Sequence, residues 1–362
     1  MVGNQKAASE RGDGLMRIAM VLVACLIPRA SFANTPEPLT PIRTDTPPVI
    51  DGKLDDEVWE KAPHVTGFRT YHPDYGEEME DDTQVFFAYD RENLYFAFRC
   101  FDSDPDKIKA SVSARDKIRP DDWVAINLDS FNDHQSLYGF YINPLGIQGD
   151  SRATVAAEDA GFDVVWYSAG NIDDQGYTIE IQIPFKSIRY RSTEPVQMGV
   201  IFERKVSRSS LMSTYPPLDP KRGADWFNQM HPIVYEDVEH YTLFELLPAF
   251  THGQRNELEE NDLVDAGDQT DLSLTAKYGI TSDLILDGTI NPDFSQVEAD
   301  GGQIDINVRA PLFFPETRPF FLEGIEYWNA GGPTHADPLR AVVHTRNIVN
   351  PLGGVKLSGG LS

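Results

Sequence analysis

The sequence predicts an all-β protein, in which an antiparallel β-sandwich is followed by membrane-type β-strands of an incomplete barrel. Two observations support this fold class. From Thr83 to Leu247, short apolar segments alternate with turn signals, and no stretch has the apolar spacing of a long helix. From Asp271 to Asn291, two segments alternate apolar and polar residues, and each has roughly the 9 to 11 residues with which a tilted strand crosses a bilayer.

Residues 1–33 have the pattern of a signal peptide and predict export. Arg17 precedes an apolar run from Ile18 to Ile27, and the small-x-small sequence Ser31-Phe32-Ala33 follows as a cleavage site. The apolar run is too short to span a bilayer as a helix. A second interpretation stays open, because Leu22-Val23-Ala24-Cys25 also fits the pattern at which lipoproteins are cut and acylated.

Charge and cysteine content exclude two classes of function. Cleavage after Ala33 leaves 27 basic residues (31 − 4) and 55 acidic residues (57 − 2), a net charge of −28. Such a balance repels phosphate backbones, so the sequence predicts no nucleic-acid partner. Cys100 is then the single cysteine, which excludes an internal disulfide and a thiolate metal site.

The first half of the chain divides into a linker and the sandwich. Residues 34–48 contain five prolines and predict an extended linker or sheet edge. Residues 49–250 predict the sandwich, opening with a short helical turn that packs Trp59 inward and continuing as about eight or nine strands. The strands include Gln84–Tyr89, Leu94–Phe101, Trp123–Asp129, Tyr138–Asn143, Val164–Ala169, Tyr177–Ile183, Val200–Val206 and Tyr241–Leu247.

The second half predicts a connector and the start of a barrel domain. Residues 251–270 are acidic without a sustained apolar period, which indicates a solvated connector. Residues 271–362 hold the alternating hairpin and two further strands, at Arg340–Arg346 and Gly354–Leu361. A closed membrane barrel needs about eight strands or more, so we expect the chain to be truncated or a fragment of a longer protein.

One face of two predicted strands carries the candidate ligand contacts. In Trp123–Asp129 the residues Val124, Ile126 and Leu128 form the core face, which leaves Trp123 and Asn127 on the other face. Tyr141 and Asn143 share that face if the next strand lies in the same sheet. Aromatic rings beside amides suit sugars, because pyranose C–H faces stack on rings while hydroxyl groups need fixed partners.

The alternative for these residues is ordinary packing. If the long loop from Ser209 to Pro232 covers the face, Trp123 and Tyr141 are buried packing residues. Trp226 lies within that loop, and it is either a ligand contact or a loop anchor. The predicted carbohydrate-binding residues are therefore Trp123, Tyr141, Asn143 and Trp226, and Trp166 is assigned to the core.

The remaining motifs predict no catalytic or metal centre. Glu180 alternates with apolar residues on its strand, and we expect it to be solvated or ion-paired rather than a general acid. Asp102, Asp104 and Asp106 begin like a calcium loop, but Lys107 replaces the required glycine, so no cofactor is predicted and only an incidental calcium site stays open. The sequence has no nucleophile elbow, zinc-protease motif, P-loop or dinucleotide fingerprint.

Several of these stretches together resemble a carbohydrate-binding module of family 9. They are Val49–Trp59, Tyr89–Tyr95, Asp122–Asp129, Phe140–Gly146 and Tyr177–Pro184. The resemblance covers roughly residues 40–247 and implies a β-sandwich that binds saccharides. A sugar-binding tryptophan, glutamate and arginine of the family correspond here to Arg119, Ala125 and Tyr141, and Trp226 lies in the loop of a second tryptophan.

The stretch Asn291–Gly324 resembles a barrel domain of unknown function that follows such modules in outer-membrane proteins of Gram-negative bacteria. The matching segments are Asn291–Asp300, Phe313–Glu316 and Arg318–Gly324. The leading hypothesis is an exported, non-catalytic carbohydrate-binding protein that acts in polysaccharide breakdown or uptake at the outer membrane, or in the periplasm. Two alternatives stay open: a glycoside hydrolase with a carboxylate pair in the same groove, and a structural platform for the barrel without sugar binding.

Overall fold

Antiparallel strands dominate the part of the chain that the computed structural model describes. The described residues are 36–154, 158–159, 162–222, 226–259, 262–281, 284–292, 319–322, 345, 348 and 351–359. The predicted signal peptide, most of the stretch 291–324 and most of the strand predicted at 340–346 lie outside these residues.

The first sheet has six strands, and strands are numbered in chain order throughout. Its order is β1-β4-β5-β11-β10, with β2 paired to β4, and all pairs are antiparallel except β1 with β4. These strands are β1 (Ile42–Arg43), β2 (His64–Val65), β4 (Thr83–Tyr89), β5 (Asn93–Phe101), β10 (Tyr167–Asp173) and β11 (Gly176–Pro184).

The second sheet has eight strands in the order β3-β13-β12-β6-β7-β8-β9, with β14 paired to β12. These strands are β3 (Arg69–His72), β6 (Trp123–Asp129), β7 (Ser136–Ile142), β8 (Gln148–Thr154), β9 (Glu158–Asp159), β12 (Val196–Val206), β13 (Leu211–Tyr215) and β14 (His231–Tyr235).

The core lies between the two sheets and uses alternate residues of each strand. Val124, Ile126 and Leu128 of β6 belong to the same buried cluster as the isoleucines of β11, and all are fully buried. Because successive side chains of a strand point to opposite faces, one sheet face is left outside the core. The predicted core face of β6 is confirmed, as is the burial of Trp166.

The strand inventory differs from the prediction in four places. The strand predicted within the sandwich at Tyr241–Leu247 is instead the start of β15 (Phe244–Glu259), which belongs to a third sheet. The sandwich has fourteen strands among the described residues rather than eight or nine. The strand predicted at Val164–Ala169 is β10, which begins at Tyr167, and the stretch predicted as a loop from Ser209 to Pro232 contains β13 and begins β14. Strands of two to five residues are too short for an alternating pattern to stand out.

Two short helices accompany the sheets. The helix α1 (Glu57–Lys61) buries Trp59 as predicted, and α2 (Pro319–Leu322) has a single turn. In the part of the chain that is described, neither helix has the length or apolar content that a membrane span requires.

Glu180 fixes the segment that leads into α1, and its predicted exposure is wrong. The side chain is fully buried, and its carboxylate accepts hydrogen bonds from Trp59 Nε1 at 2.7 Å and from the amides of Gly52 at 2.8 Å and Asp51 at 3.0 Å. The segment preceding α1 covers this face of the six-stranded sheet and excludes water from it. An alternating pattern cannot predict this burial, because the cover comes from a distant part of the chain.

A third sheet follows the sandwich, in the strand order β15-β16-β17-β18. The strands are β15 (Phe244–Glu259), β16 (Asp262–Gly279), β17 (Leu284–Ile290) and β18 (Gly353–Gly359). The predicted hairpin is confirmed as the antiparallel pair β16 and β17, and β18 lies where a strand was predicted. The stretch 251–270, predicted to be a connector, lies instead in β15 and β16, because their backbone pairing continues through its polar residues.

The four-stranded sheet places its apolar side chains on the exposed face. Register brings Phe244, Tyr278, Leu286 and Leu357 into one cross-strand row. We call this side the apolar face; its exposed members are Phe244, Leu246, Phe250, Leu272, Tyr278, Leu286, Ile290, Val355 and Leu357.

The opposite side of the same sheet carries charge, and we call it the charged face. A cross-strand row runs Glu245, Lys277, Asp287, Lys356 across all four strands, and the sign alternates at every step. Two ion pairs join its members, at 3.6 Å between Lys277 and Glu245 and at 3.7 Å between Lys356 and Asp287. Asp287 is fully buried, and Lys277 and Lys356 are largely buried, whereas Glu245 is partly exposed. The charged row is therefore more buried than the apolar face of the same sheet.

Candidate functional site

The outer face of the eight-stranded sheet brings the candidate ligand residues together. Two cross-strand rows define it: Glu203 of β12 lies opposite Ala125 of β6, which lies opposite Tyr141 of β7. In the adjacent row, Ile201 lies opposite Asn127, which lies opposite Gly139. Neighbouring strands are about 4.8 Å apart, so these side chains share one compact surface.

Trp123 and Tyr141 form an aromatic pair at one end of this face, as the sequence predicted for residues on one sheet side. Their ring centroids are 5.4 Å apart in an edge-on arrangement. Trp123 is only 8% exposed, because Ile118 and Met212 pack in the same cluster, so its ring faces are covered by protein. Tyr141 is partly exposed. Trp123 is therefore a packing residue of this face, and Tyr141 is the ring of the pair that is exposed at the surface.

Gly139 makes room for the Tyr141 ring. A Cβ atom at position 139 would lie 2.8 Å from Tyr141 Cε2 and 2.8 Å from Ser151 Oγ. The tyrosine ring thus lies over the glycine of its own strand. Burial raises the pKa of Tyr141, and the phenol stays protonated as a hydrogen-bond donor.

A carboxylate with two hydrogen-bond donors lies beside the aromatic pair. Glu203 is partly buried; it accepts hydrogen bonds from Asn127 Nδ2 at 2.5 Å on one oxygen and from the Tyr71 hydroxyl at 3.0 Å on the other. Burial raises the pKa of Glu203, while these two hydrogen bonds oppose the rise. The three side chains form a fixed polar group, because each carboxylate oxygen already has one partner within the protein.

Trp226 belongs to a different cluster of the same region. Its ring centroid lies 4.4 Å from that of Phe227, and it packs against Leu137, Ile201 and Met230. Ile201 lies opposite Asn127 in the register, so the polar group separates this cluster from Trp123 and Tyr141. The structure thus places Trp226 near the outer face but not in contact with the aromatic pair, and the ring stays partly exposed.

Asn143 shapes a turn rather than the surface. It is fully buried, and its amide makes four hydrogen bonds within the chain. The nitrogen donates to Ser111 O and Asp121 Oδ2, and the oxygen accepts from the amides of Leu145 and Ile147. These bonds use all the hydrogen-bonding capacity of the amide, so we leave Asn143 out of the proposed contact set.

Sequence reasoning missed Glu203 and Tyr71. A signal for Glu203 was present, because Ile201, Glu203 and Lys205 alternate with residues of the core face along β12. No comparable signal existed for Tyr71, which reaches the site from the short strand β3 at the other side of β13.

Acidic side chains outside this face are mostly engaged with cations or amides. Asp102, the first residue of the calcium-like spacing, forms an ion pair with Arg208 at 2.7 Å, and Asp104 pairs with Lys107. Within the described ranges, no three His, Cys, Asp or Glu side chains converge in a way that could hold a metal ion.

Two family models match parts of the chain. Residues 50–207 match the carbohydrate family 9 binding domain-like family. This match confirms the resemblance for most of the two sheets. Residues 245–333 match a second family, described as Domain of unknown function (DUF5916). No curated protein matches the chain.

Solved structures similar to the chain include two complexes of a carbohydrate binding module of family 9 from Caldicellulosiruptor kristjanssonii. The complex with cellotriose has 17% identity and a TM-score of 0.41, and covers 56% of this chain and 95% of that one. The complex with glucose has 17% identity and a TM-score of 0.40, covering 55% and 95%. A carbohydrate-binding protein of Bacteroides uniformis, described as putative, has 12% identity and a TM-score of 0.45, covering 55% and 99%.

Proposed function

We propose that the sandwich binds a saccharide on the outer face of its eight-stranded sheet, without cleaving it. The observation that carries the proposal is the partly exposed Tyr141 ring beside the polar group of Glu203, Asn127 and Tyr71. A sugar ring stacks on an aromatic face while its hydroxyl groups need fixed donors and acceptors, and this surface supplies both. The family match over residues 50–207 supports the same ligand class.

Calorimetric titration of the full chain against neutral mono- and oligosaccharides tests the proposal. We expect Tyr141→Ala to weaken binding about tenfold, which corresponds to about 1.4 kcal/mol, because the ring supplies the stacking surface. Tyr167→Ala is the matched control, since Tyr167 is an exposed tyrosine on β10 of the other sheet. Absence of binding to every sugar would instead favour the structural platform, and release of reducing sugar would assign a glycoside hydrolase.

We also propose that the protein is exported and attached to the outer membrane through the apolar face of the four-stranded sheet. Rows of exposed aliphatic and aromatic residues cover that face, and water is a poor solvent for such a surface. Three of the four residues of the charged row are largely buried, an arrangement that suits strands with lipid on one side and a polar interior on the other. The signal-peptide pattern of residues 1–33 supports export.

Site-directed bimane labelling tests the membrane proposal on adjacent residues of β15. Leu246→Cys places the label on the apolar face, and Glu245→Cys places it on the charged face. In a background with Cys25→Ala and Cys100→Ala, and with the protein in vesicles that contain brominated lipids, we expect quenching at position 246 and little at position 245. Equal quenching at both positions, or failure to associate with vesicles, would contradict the proposal.

A further inference from the structure

Glu203 places a carboxylate close to the position where the family resemblance implies a sugar-binding glutamate that this sequence lacks. The sugar-binding glutamate of the family corresponds to Ala125 in this sequence. In the structure, Glu203 of β12 lies directly opposite Ala125 of β6, so a carboxylate reaches the same part of the sheet from the neighbouring strand. Ala125 itself is fully buried, so the longer side chains on its two sides, Glu203 and Tyr141, form the surface there.

The surroundings of Glu203 hold its carboxylate in place without using all of its hydrogen-bonding capacity. Asn127 Nδ2 donates to Oε1 and the Tyr71 hydroxyl donates to Oε2, which fixes the plane of the group. A carboxylate has about four acceptor sites, so about two remain for hydroxyl donors of a ligand. Strands β12 and β7 are about 10 Å apart, which places this acceptor and the Tyr141 ring within reach of one sugar residue.

The same carboxylate determines which sugars the site accepts. A uronic acid or a sulfated sugar brings a second negative charge next to a partly buried one, and such like-charge contacts are strongly unfavourable at low solvent exposure. Lys205, the cation on the same face of β12, does not compensate, because its ammonium donates to the Arg119 carbonyl and lies 6.0 Å from the centroid of the Trp123 ring. The net charge of the chain, −26, adds repulsion at longer range.

We propose that Glu203 anchors the ligand through its hydroxyl groups and restricts the site to neutral saccharides, an inference that rests on the proposed function. Glu203 thereby takes the place of the glutamate missing at position 125. Its contribution is both attractive, towards vicinal hydroxyl groups, and repulsive, towards carboxylated or sulfated sugars.

Paired titrations of the full chain at about pH 8, where loss of the Glu203 proton is most complete in the range considered, test this inference. The probes are neutral sugars and their uronic acids, namely glucose with glucuronate and galactose with galacturonate, together with the corresponding oligosaccharides. For the wild-type chain we expect each neutral sugar to bind at least about tenfold more tightly than its uronic acid, a difference of about 1.4 kcal/mol. Glu203→Gln should weaken neutral binding about tenfold and bring the two members of each pair within about threefold.

Two further variants separate direct contact between Glu203 and the sugar from long-range charge repulsion and from misfolding of the Glu203→Gln variant. Glu203→Asp keeps the charge on a shorter side chain, so neutral sugars should bind more weakly while uronic acids stay excluded. Glu60→Gln removes the same charge from an exposed residue of α1, which packs on the other sheet, and should leave the ratio unchanged.

Each outcome has a distinct consequence. If the wild-type chain binds no sugar, both the function and the role of Glu203 are overturned. If it binds neutral and acidic sugars equally, or if Glu60→Gln changes the ratio as much as Glu203→Gln, saccharide binding stands and the role of Glu203 is overturned.

Discussion

Three hydrogen bonds converge on the buried carboxylate of Glu180. Its donors are the Trp59 indole and the amides of Gly52 and Asp51, and all three belong to the segment that leads into or forms α1. Gly52 has a φ of +87°, and a Cβ atom there would lie 2.8 Å from the Gly170 backbone, so glycine lets this segment approach the sheet. One carboxylate thus attaches the start of the sandwich to β11.

Glu180→Ala should destabilise the sandwich by about 3 kcal/mol, because it leaves the buried Trp59 indole and Gly52 amide and the partly buried Asp51 amide without an acceptor. Unfolding of the full chain in urea, followed by tryptophan fluorescence, measures the change, since Trp59 is one of the donors. Glu60→Ala is the control, because Glu60 is exposed on the same segment and should change stability by less than about 0.5 kcal/mol. A similar loss in both variants would show that the carboxylate does not hold the segment.

At the scale of elements, register determines which face of the four-stranded sheet is apolar. Because side chains alternate, a slip of one residue between β16 and β17 would move every apolar side chain to the charged face. The alternating row of Glu245, Lys277, Asp287 and Lys356 opposes such a slip, since each charge then loses its opposite neighbour. The row of charged residues and the row of apolar residues therefore both specify the same register between β16 and β17.

The helix α2 lies on the charged face against β18, and one glycine allows this contact. The Lys356 ammonium donates to the Phe320 carbonyl and lies 5.0 Å from the centroid of the Phe320 ring. A Cβ atom at Gly354 would lie 2.9 Å from Phe320 Cζ, closer than carbon atoms pack. The ring thus covers the glycine, and Phe320 is buried.

Gly354→Ala should release α2 from the sheet, because the added methyl group occupies the space of the Phe320 ring. Limited chymotrypsin digestion in detergent measures the release as about tenfold faster cleavage at Phe320 and Phe321, a change of about 1.4 kcal/mol in the opening equilibrium. Gly288→Ala on β17 is the matched control, since a Cβ atom there meets nothing within 4 Å. Equal cleavage of both variants would contradict the contact.

At the scale of the whole molecule, the sequence predicted what local alternation determines and missed what distant segments determine. The core face of β6, the hairpin of β16 and β17 and the burial of Trp59 follow from period-two or helical spacing, and the structure has them. Burial of Glu180 and the partners of Glu203 depend on segments more than 70 residues away, which no local pattern reveals. Asn143 shows the same limit, because it follows the end of β7 in a turn and is buried there by partners that include Ser111 and Asp121.

Burial of acidic groups has a consequence for the stability of the sandwich as a function of pH. Desolvation raises the pKa of five buried or partly buried carboxyl groups: Asp122, Asp129, Asp150, Glu180 and Glu203. A group with a raised folded pKa binds its proton more tightly in the native state, so its contribution is fully present below the unfolded pKa and is lost as pH rises through the folded pKa. Asp173, whose pKa a hydrogen bond from Arg99 lowers, acts in the opposite sense, but its contribution is constant above about pH 5.

The thermal midpoint of the sandwich should therefore fall as pH rises from about 5, near the upper limit of unfolded carboxyl titration, towards 8. Tryptophan fluorescence of the full chain reports this transition, because four of its five tryptophans, Trp59, Trp123, Trp166 and Trp226, lie in the sandwich. Glu203→Gln removes one of the five groups and should flatten the slope, whereas Glu60→Gln, at an exposed position, should preserve it. Added salt should leave most of the pH dependence of the thermal midpoint, because salt screens exposed charges far more than buried ones. A midpoint that stays constant or climbs over this range would show that the native state does not hold these protons.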